Sequence, residues 1–207
     1  MQERVNATGG EGMPGIVQNF ALFNRAGVLV NKDGFLTELE AFLVRYEKPE
    51  VAQKKSLGVN EYFVHVSYAP LPSFSELENE FGKGNVSRIF DDIEFRKHPS
   101  YLNIAEVSGG KVFLVQHFNK KVESEEAIAE MDNLGYRPAT HIEAYAFQKE
   151  HPDLQRKFSI LALGSFATSG GAQCVAELCG DSNRRIFNNN WFGYGWRADR
   201  RFLFIRK

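Results

Sequence analysis

Cysteine is scarce in this chain. Only Cys174 and Cys179 occur among 207 residues. That excludes a disulfide-built scaffold, and the lack of a second cysteine pair excludes a four-cysteine zinc site. The two lie five apart, so an extended segment puts them on opposite faces, where one strand cannot join them. Both are expected as small buried or semi-buried residues. Charge of one sign is missing too. A formal net charge of -1 gives no overall pull toward nucleic acid or anionic lipid. No apolar run is long enough to span a bilayer, which excludes membrane insertion by a helix. The stretch from Met1 to Gly10 has no apolar core, so no signal peptide is expected. Synthesis in the cytoplasm follows, with later display on a virion or cell surface left open.

What is present suits an ordinary globular protein. With 43% hydrophobic and 25% charged residues, a normal core can form without a staple. Eighteen phenylalanines predict a ring-filled core. Residues 1–18, rich in glycine and polar groups, read as a flexible tail. Gly27-Val28-Leu29-Val30 is a short strand candidate. Phe35, Leu39, Phe42 and Tyr46, at spacings of four, three and four, predict an amphipathic helix that stops before Pro49. Tyr62 to Tyr68 predicts a strand, with His65 a packed or half-exposed member of it. Ser73 and Glu76 form a capping box, which starts a short helix to Phe81, and Gly82-Lys83-Gly84 ends it.

From Val107 the pattern sharpens. Ser108-Gly109-Gly110 reads as a turn and Lys111 to Phe118 as a strand. Ser124 is expected to cap a helix whose apolar stripe is Ile128, Met131 and Leu134, with Gly135 as the stop. Thr140 and Glu143 form a second capping box, opening a helix closed by His151-Pro152. His141 is expected at its solvated end. Phe158 to Phe166 reads as a strand, and Ser169-Gly170-Gly171 turns the chain. Arg201 to Arg206 is the last strand, with Phe202 and Phe204 on one face and Leu203 and Ile205 on the other. The first and last strands of this region can pair side by side around the two helices. The long loops between the later strands are then where function would sit.

The segment from Gln173 to Lys207 has the palette of a recognition surface. Both tryptophans, Trp191 and Trp196, lie in it, among Asn, Gly, Tyr and Arg. Aromatic rings and Arg dominate binding energy at interfaces, while Asn, Ser and Gly adapt their hydrogen bonding. The segment holds no convincing set of nucleophile, base and metal ligands.

Several runs resemble one family. Gly135-Tyr136-Arg137-Pro138-Ala139-Thr140, Leu154-Gln155-Arg156-Lys157-Phe158, Ala162-Leu163-Gly164-Ser165, Trp191-Phe192, Trp196 and Arg201-Phe202-Leu203 resemble the variable proteins of diversity-generating retroelements. The branch is the one found in small-genome uncultivated bacteria, archaea and their viruses. The resemblance covers about residues 86–207. Arg137 to Glu143 also looks like the matching turn of formylglycine-generating-enzyme-type domains. The fold class implied is α+β, a C-type-lectin-like domain of the formylglycine-generating-enzyme type over 107–207. An N-terminal α/β region over 19–106 precedes it.

The function implied is binding of a variable protein or cell-surface ligand, with no catalysis and no cofactor. In such genes an error-prone reverse transcriptase randomises adenines in a template whose copy replaces the 3′ end of the gene. By this resemblance Trp191, Phe192, Trp196, Phe202, Leu203 and Arg206 are framework. Glu177, Cys179, Asp181, Asn188, Asn190, Tyr194, Arg197, Asp199 and Arg200 are the exchangeable ligand-binding positions. Gln173, Asn189, Gly193 and Ala198 are neighbours of lesser weight.

Two other readings compete. Calcium-dependent lectins carry Trp-Asn-Asp and Glu-Pro-Asn signatures, which are absent here, so no obligatory metal is expected. A formylglycine-generating-type oxidase needs paired reactive cysteines, and the spacing of Cys174 and Cys179 does not match. A nucleic-acid module is suggested by Arg184, Arg185, Arg197, Arg200, Arg201, Arg206 and Lys207 interleaved with aromatics. The balanced charge of the whole chain and the lack of a known motif count against it.

Overall fold

The last strand organises the fold. In the computed structural model, which describes residues 57–207, β8 (Arg201–Arg206) lies inside an eight-stranded sheet. The sheet order is β1 (Glu61–Val66), β3 (Gly109–Gln116), β8, β5 (Ile160–Ser169), β6 (Ala172–Gly180) and β7 (Arg185–Trp191). Neighbours are antiparallel except β5 and β8, which run parallel. Short β2 (Arg96–Lys97) pairs with β5, and β4 (Tyr136–Pro138) pairs with β8. The architecture is mixed α+β with a large open sheet and few helices. The sequence-predicted tail over 1–18, strand at Gly27–Val30 and helix over 35–46 lie outside the described residues.

Both faces of the sheet are covered, as the alternation in β8 requires. Leu203 and Ile205 join Val64, Phe113, Phe147, Leu178 and Phe187 in one core. Phe202 and Phe204 join Leu161, Leu163, Val175, Met131 and Trp196 in the other. The first core is covered by α1 (Phe74–Phe81) and α4 (His141–Glu150), through buried Leu77, Phe81, Ala144 and Phe147. The second is covered by α3 (Ser124–Asn133), through Ala127, Ile128 and Met131. Two four-residue helices, α2 (Ile89–Asp92) and α5 (Leu154–Lys157), complete the α-helices of the described residues.

The capping boxes start both helices over the first core. Ser73 Oγ accepts from Glu76 N while Glu76 Oε2 accepts from Ser73 N, and Thr140 and Glu143 repeat the arrangement. Glu143 does more than cap. It is buried and takes both guanidinium nitrogens of buried Arg137, at 2.9 and 2.6 Å, and the Tyr68 hydroxyl. Burial pushes its carboxyl up, but Arg137, Tyr68 and the Thr140 amide pull harder and leave it below the usual range.

Gly164 is required where β5 leaves β8. A Cβ there would lie 2.5 Å from Pro138 O, and the Gly164 amide donates to Ala139 O at 2.8 Å. Ala139 in turn donates to Leu203 O, so the close approach stitches β5 to β8 through one residue.

The expected N-terminal region over 19–106 contributes β1, which pairs with β3 along its whole length, and the described residues fall in one compact unit. Four sequence expectations change. Gly109 and Gly110 are strand residues opposite Val66 and His65, not a turn. Ser124 is not the helix cap; Glu123 occupies that position without a side-chain cap bond, and Ser124 is buried. Leu134 lies beyond the helix end and is 66% exposed. His141 is only partly exposed, not freely solvated. Its Nδ1 sits 2.9 Å from Ser165 Oγ and its ring stacks on Phe95 at 4.1 Å. Burial pushes its pKa down to about 4, against a small opposing pull from Glu143.

Candidate functional site

Apart from Asp181, the expected site residues fall on β6, β7 and the loop that joins β7 to β8. β6 and β7 form a hairpin in which Glu177 faces Asn188, Val175 faces Asn190 and Cys179 faces Ile186. Directly opposed residues share a sheet face, so Glu177, Cys179, Asn188 and Asn190 lie on one side. Asn189 lies on the other, where the Ser87 hydroxyl donates to its amide oxygen.

Glu177 is the hub of that side. It is only 3% exposed, so it is not a projecting contact as the sequence reading had it. Its carboxylate accepts from Arg200 at 2.6 Å, from the Asn188 and Asn190 amides at 3.4 and 3.5 Å, and from the Ser159 hydroxyl. A buried carboxylate is tolerated because these donors replace water. Arg200 and both asparagines are thereby held in place, each still partly exposed.

The loop from Phe192 to Arg200 crosses the same side on buried footings. Phe192 and Trp196 enter the second core. Trp196 pairs through its backbone with Val122, at 2.8 and 3.2 Å. The Ser124 hydroxyl donates to Phe192 O at 2.5 Å and accepts from the Trp196 indole at 2.8 Å. His117 Nε2 sits 2.7 Å from Ala198 O. These anchors from outside the segment are not visible in the sequence, because nothing local marks Ser124 or His117 as partners of residues 68 to 81 positions away. Between the footings Tyr194, Arg197 and Asp199 are exposed, with Arg197 and Asp199 paired at 3.2 Å.

Trp191 contradicts its framework reading. It is 50% exposed and stacks on Tyr194, which is 49% exposed, with centroids 5.1 Å apart. It ends β7 at the sheet's edge, where the alternation turns it away from the core that Phe192 enters. Arg206 is likewise at the surface, bound to Glu61 at 2.5 Å. Asp181 stands apart from the rest. It sits in the turn at the far end of the hairpin, about 13 Å along the strand from Glu177. There it accepts from the Asn183 and Arg184 amides and pairs with the Arg184 side chain.

Charges and thiols limit the chemistry. Arg184 pairs with Asp181, Arg185 with Glu80, Arg197 with Asp199, Arg200 with Glu177, Arg206 with Glu61 and Lys207 with Asp132. Arg201 packs over Phe158. Cys174 and Cys179 are both free, with Cys174 buried beside Ile89 and Ala167. Burial pushes the Cys179 thiol up to about 12, Glu177 adding to the effect. Among the described residues no group of three or more His, Cys, Asp or Glu side chains could hold a metal ion, and no helix is long and apolar enough to cross a membrane. Comparison of the chain with protein-family models, curated proteins and solved structures finds no match.

Proposed function

We propose that this chain is a ligand-binding protein of the retroelement-diversified kind, with a C-type-lectin-like fold and a binding surface on β6, β7 and the Phe192–Arg200 loop. The observation that carries this is the division of labour within one short stretch. Phe192, Trp196, Phe202 and Leu203 are buried, while Tyr194, Arg197 and Asp199 between them are exposed and Asn188, Asn190 and Arg200 are half-buried. Fixed residues hold the backbone, and the exposed Tyr194, Arg197 and Asp199 are free to change, while Asn188, Asn190 and Arg200 change against their tether to Glu177. Surface changes of this sort usually alter stability by no more than about 0.5 kcal/mol. The fold reading is supported by the antiparallel pairing of β3 with β8 around the two helices α3 and α4.

The ligand is a protein or another cell-surface molecule. The nucleic-acid alternative is weakened because six of the seven cations that suggested it already have carboxylate partners, and counterion release from phosphates needs free cations. The oxidase alternative is weakened because a thiol with its pKa near 12 is not a thiolate at neutral pH.

The test is a library randomised at Asn188, Asn190, Tyr194, Arg197, Asp199 and Arg200, displayed and selected against a purified protein such as lysozyme. Most unselected members should stay protease-resistant, and selected members should lose binding when the parental residues are restored. A library in which few members fold would show that these positions are core, and the proposal would be abandoned.

A further inference from the structure

Trp191 and Tyr194 form a ledge rather than two separate knobs. They are the aromatic members of the exposed large apolar side chains among the described residues, and their planes lie within 25° of each other. The turn between them is short, with the Tyr194 amide donating to Trp191 O at 3.3 Å. Its base is pinned by buried Phe192 and Trp196 and by Ser124. The ledge is therefore ordered before any ligand arrives, which lowers the entropic cost of binding. Among the described residues, neither the Trp191 indole N–H nor the Tyr194 hydroxyl has a hydrogen-bond partner. The cations near the loop are already paired: Lys121 with Glu123 at 3.7 Å, Arg197 with Asp199 and Arg200 with Glu177.

We infer that this ledge is a subsite for a neutral pyranose ring. The inference rests on the ligand-binding reading above and names the chemical class of one ligand. An aromatic face is electron-rich. The polarised C–H face of a sugar lies against such a ring, and the surrounding hydroxyls can meet the indole N–H and the phenol. Other partners fit less well. A nucleobase would stack equally, but its phosphates need unpaired cations beside the rings. A proline-rich peptide needs a groove between aromatic walls, and here the rings close on each other.

The experiment titrates methyl β-D-galactopyranoside and cellotetraose into the whole chain, read by tryptophan emission and by saturation-transfer NMR. Trp196 is 3% exposed, so a change in emission reports Trp191. At least one sugar should give a saturable emission shift that survives added salt. Trp191→Ala and Tyr194→Ala should each weaken it about tenfold or more, the equivalent of about 1.4 kcal/mol. Tyr194→Phe, which keeps the stack, should weaken it less than Tyr194→Ala. Absence of any response to both sugars in the unaltered chain overturns the inference. So does a response that persists in both alanine variants, or salt-sensitive binding of oligothymidylate at these rings without a sugar response. A library that folds and yields binders alongside a failed sugar titration sinks the subsite alone, whereas a library that does not fold sinks the ligand-binding reading itself.

Discussion

Arg200 reaches from the end of the Phe192–Arg200 loop onto β6 and donates to the buried carboxylate of Glu177 at 2.6 Å. The contact ties a residue expected to vary to one that can scarcely be reached from outside. Glu177 is thus a positioning residue: it orients Arg200, Asn188 and Asn190 and meets no ligand directly. Removing either partner leaves the other's charge partly buried, whereas removing both does not. A double-mutant cycle of Glu177→Ala and Arg200→Ala, read by denaturant unfolding, should give a coupling of about 1–3 kcal/mol. Additive single effects would mean the pair is incidental.

The two tryptophans should behave oppositely. Trp196→Ala removes a core ring and should cost about 3–5 kcal/mol. Trp191→Ala removes a half-exposed ring and should cost under about 1 kcal/mol beyond the stack with Tyr194. Equal losses in thermal melts would refute the assignment of one to the core and the other to the surface.

Ser124 should matter more than its size suggests. Ser124→Ala leaves Phe192 O and the Trp196 indole without their partner, each at about 1–3 kcal/mol. Amide hydrogen exchange should then quicken across Phe192–Arg200. An unchanged exchange pattern would show that the loop is held by other means.

Gly164 tolerates no side chain. Gly164→Ala places a methyl 2.5 Å from Pro138 O, backbone that cannot swing aside. Overpacking of this kind costs about 1–3 kcal/mol, and a variant as stable as the parent would show that β5 can shift.

Stability should fall on mild acidification. The His141 pKa is lowered from 6.5 to about 4 in the fold, so between those values the unfolded chain binds more protons. Its contribution is fully present above pH 6.5 and is lost as the pH falls toward 4. The lowered carboxyl of Glu143 adds loss below its unfolded pKa of 4.5. In His141→Gln the decline between pH 6.5 and 4.5 should flatten. A melting temperature equally pH-dependent in both proteins would count against a neutral His141 imidazole.

Much of the fold was legible because its signals are local. The Ser73/Glu76 and Thr140/Glu143 boxes mark both helices over the first core, and the alternation of Phe202 to Ile205 requires a strand covered on both sides. What the sequence hid depends on distant partners. Nothing near Tyr62 says that it will face Phe113. The resemblance makes Glu177 a ligand contact, but Asn188 and Asn190 of β7, Arg200 before β8 and Ser159 close over it, four distant partners that no local signal announces. The resemblance makes Trp191 framework, but its place at a strand end leaves half of it in water.

The most direct measurement is the melting temperature of Asn188→Ala/Tyr194→Ala/Arg197→Ala set beside that of Trp196→Ala. The exposed Tyr194 and Arg197 cost about 0.5 kcal/mol each at most, and Asn188 gives up its 3.4 Å contact to Glu177, worth about 1 kcal/mol, so the triple variant should melt within about 6 °C of the parent, while Trp196→Ala should lose about 10 °C or more. A triple variant that melts as low as Trp196→Ala would contradict a rigid scaffold carrying replaceable side chains.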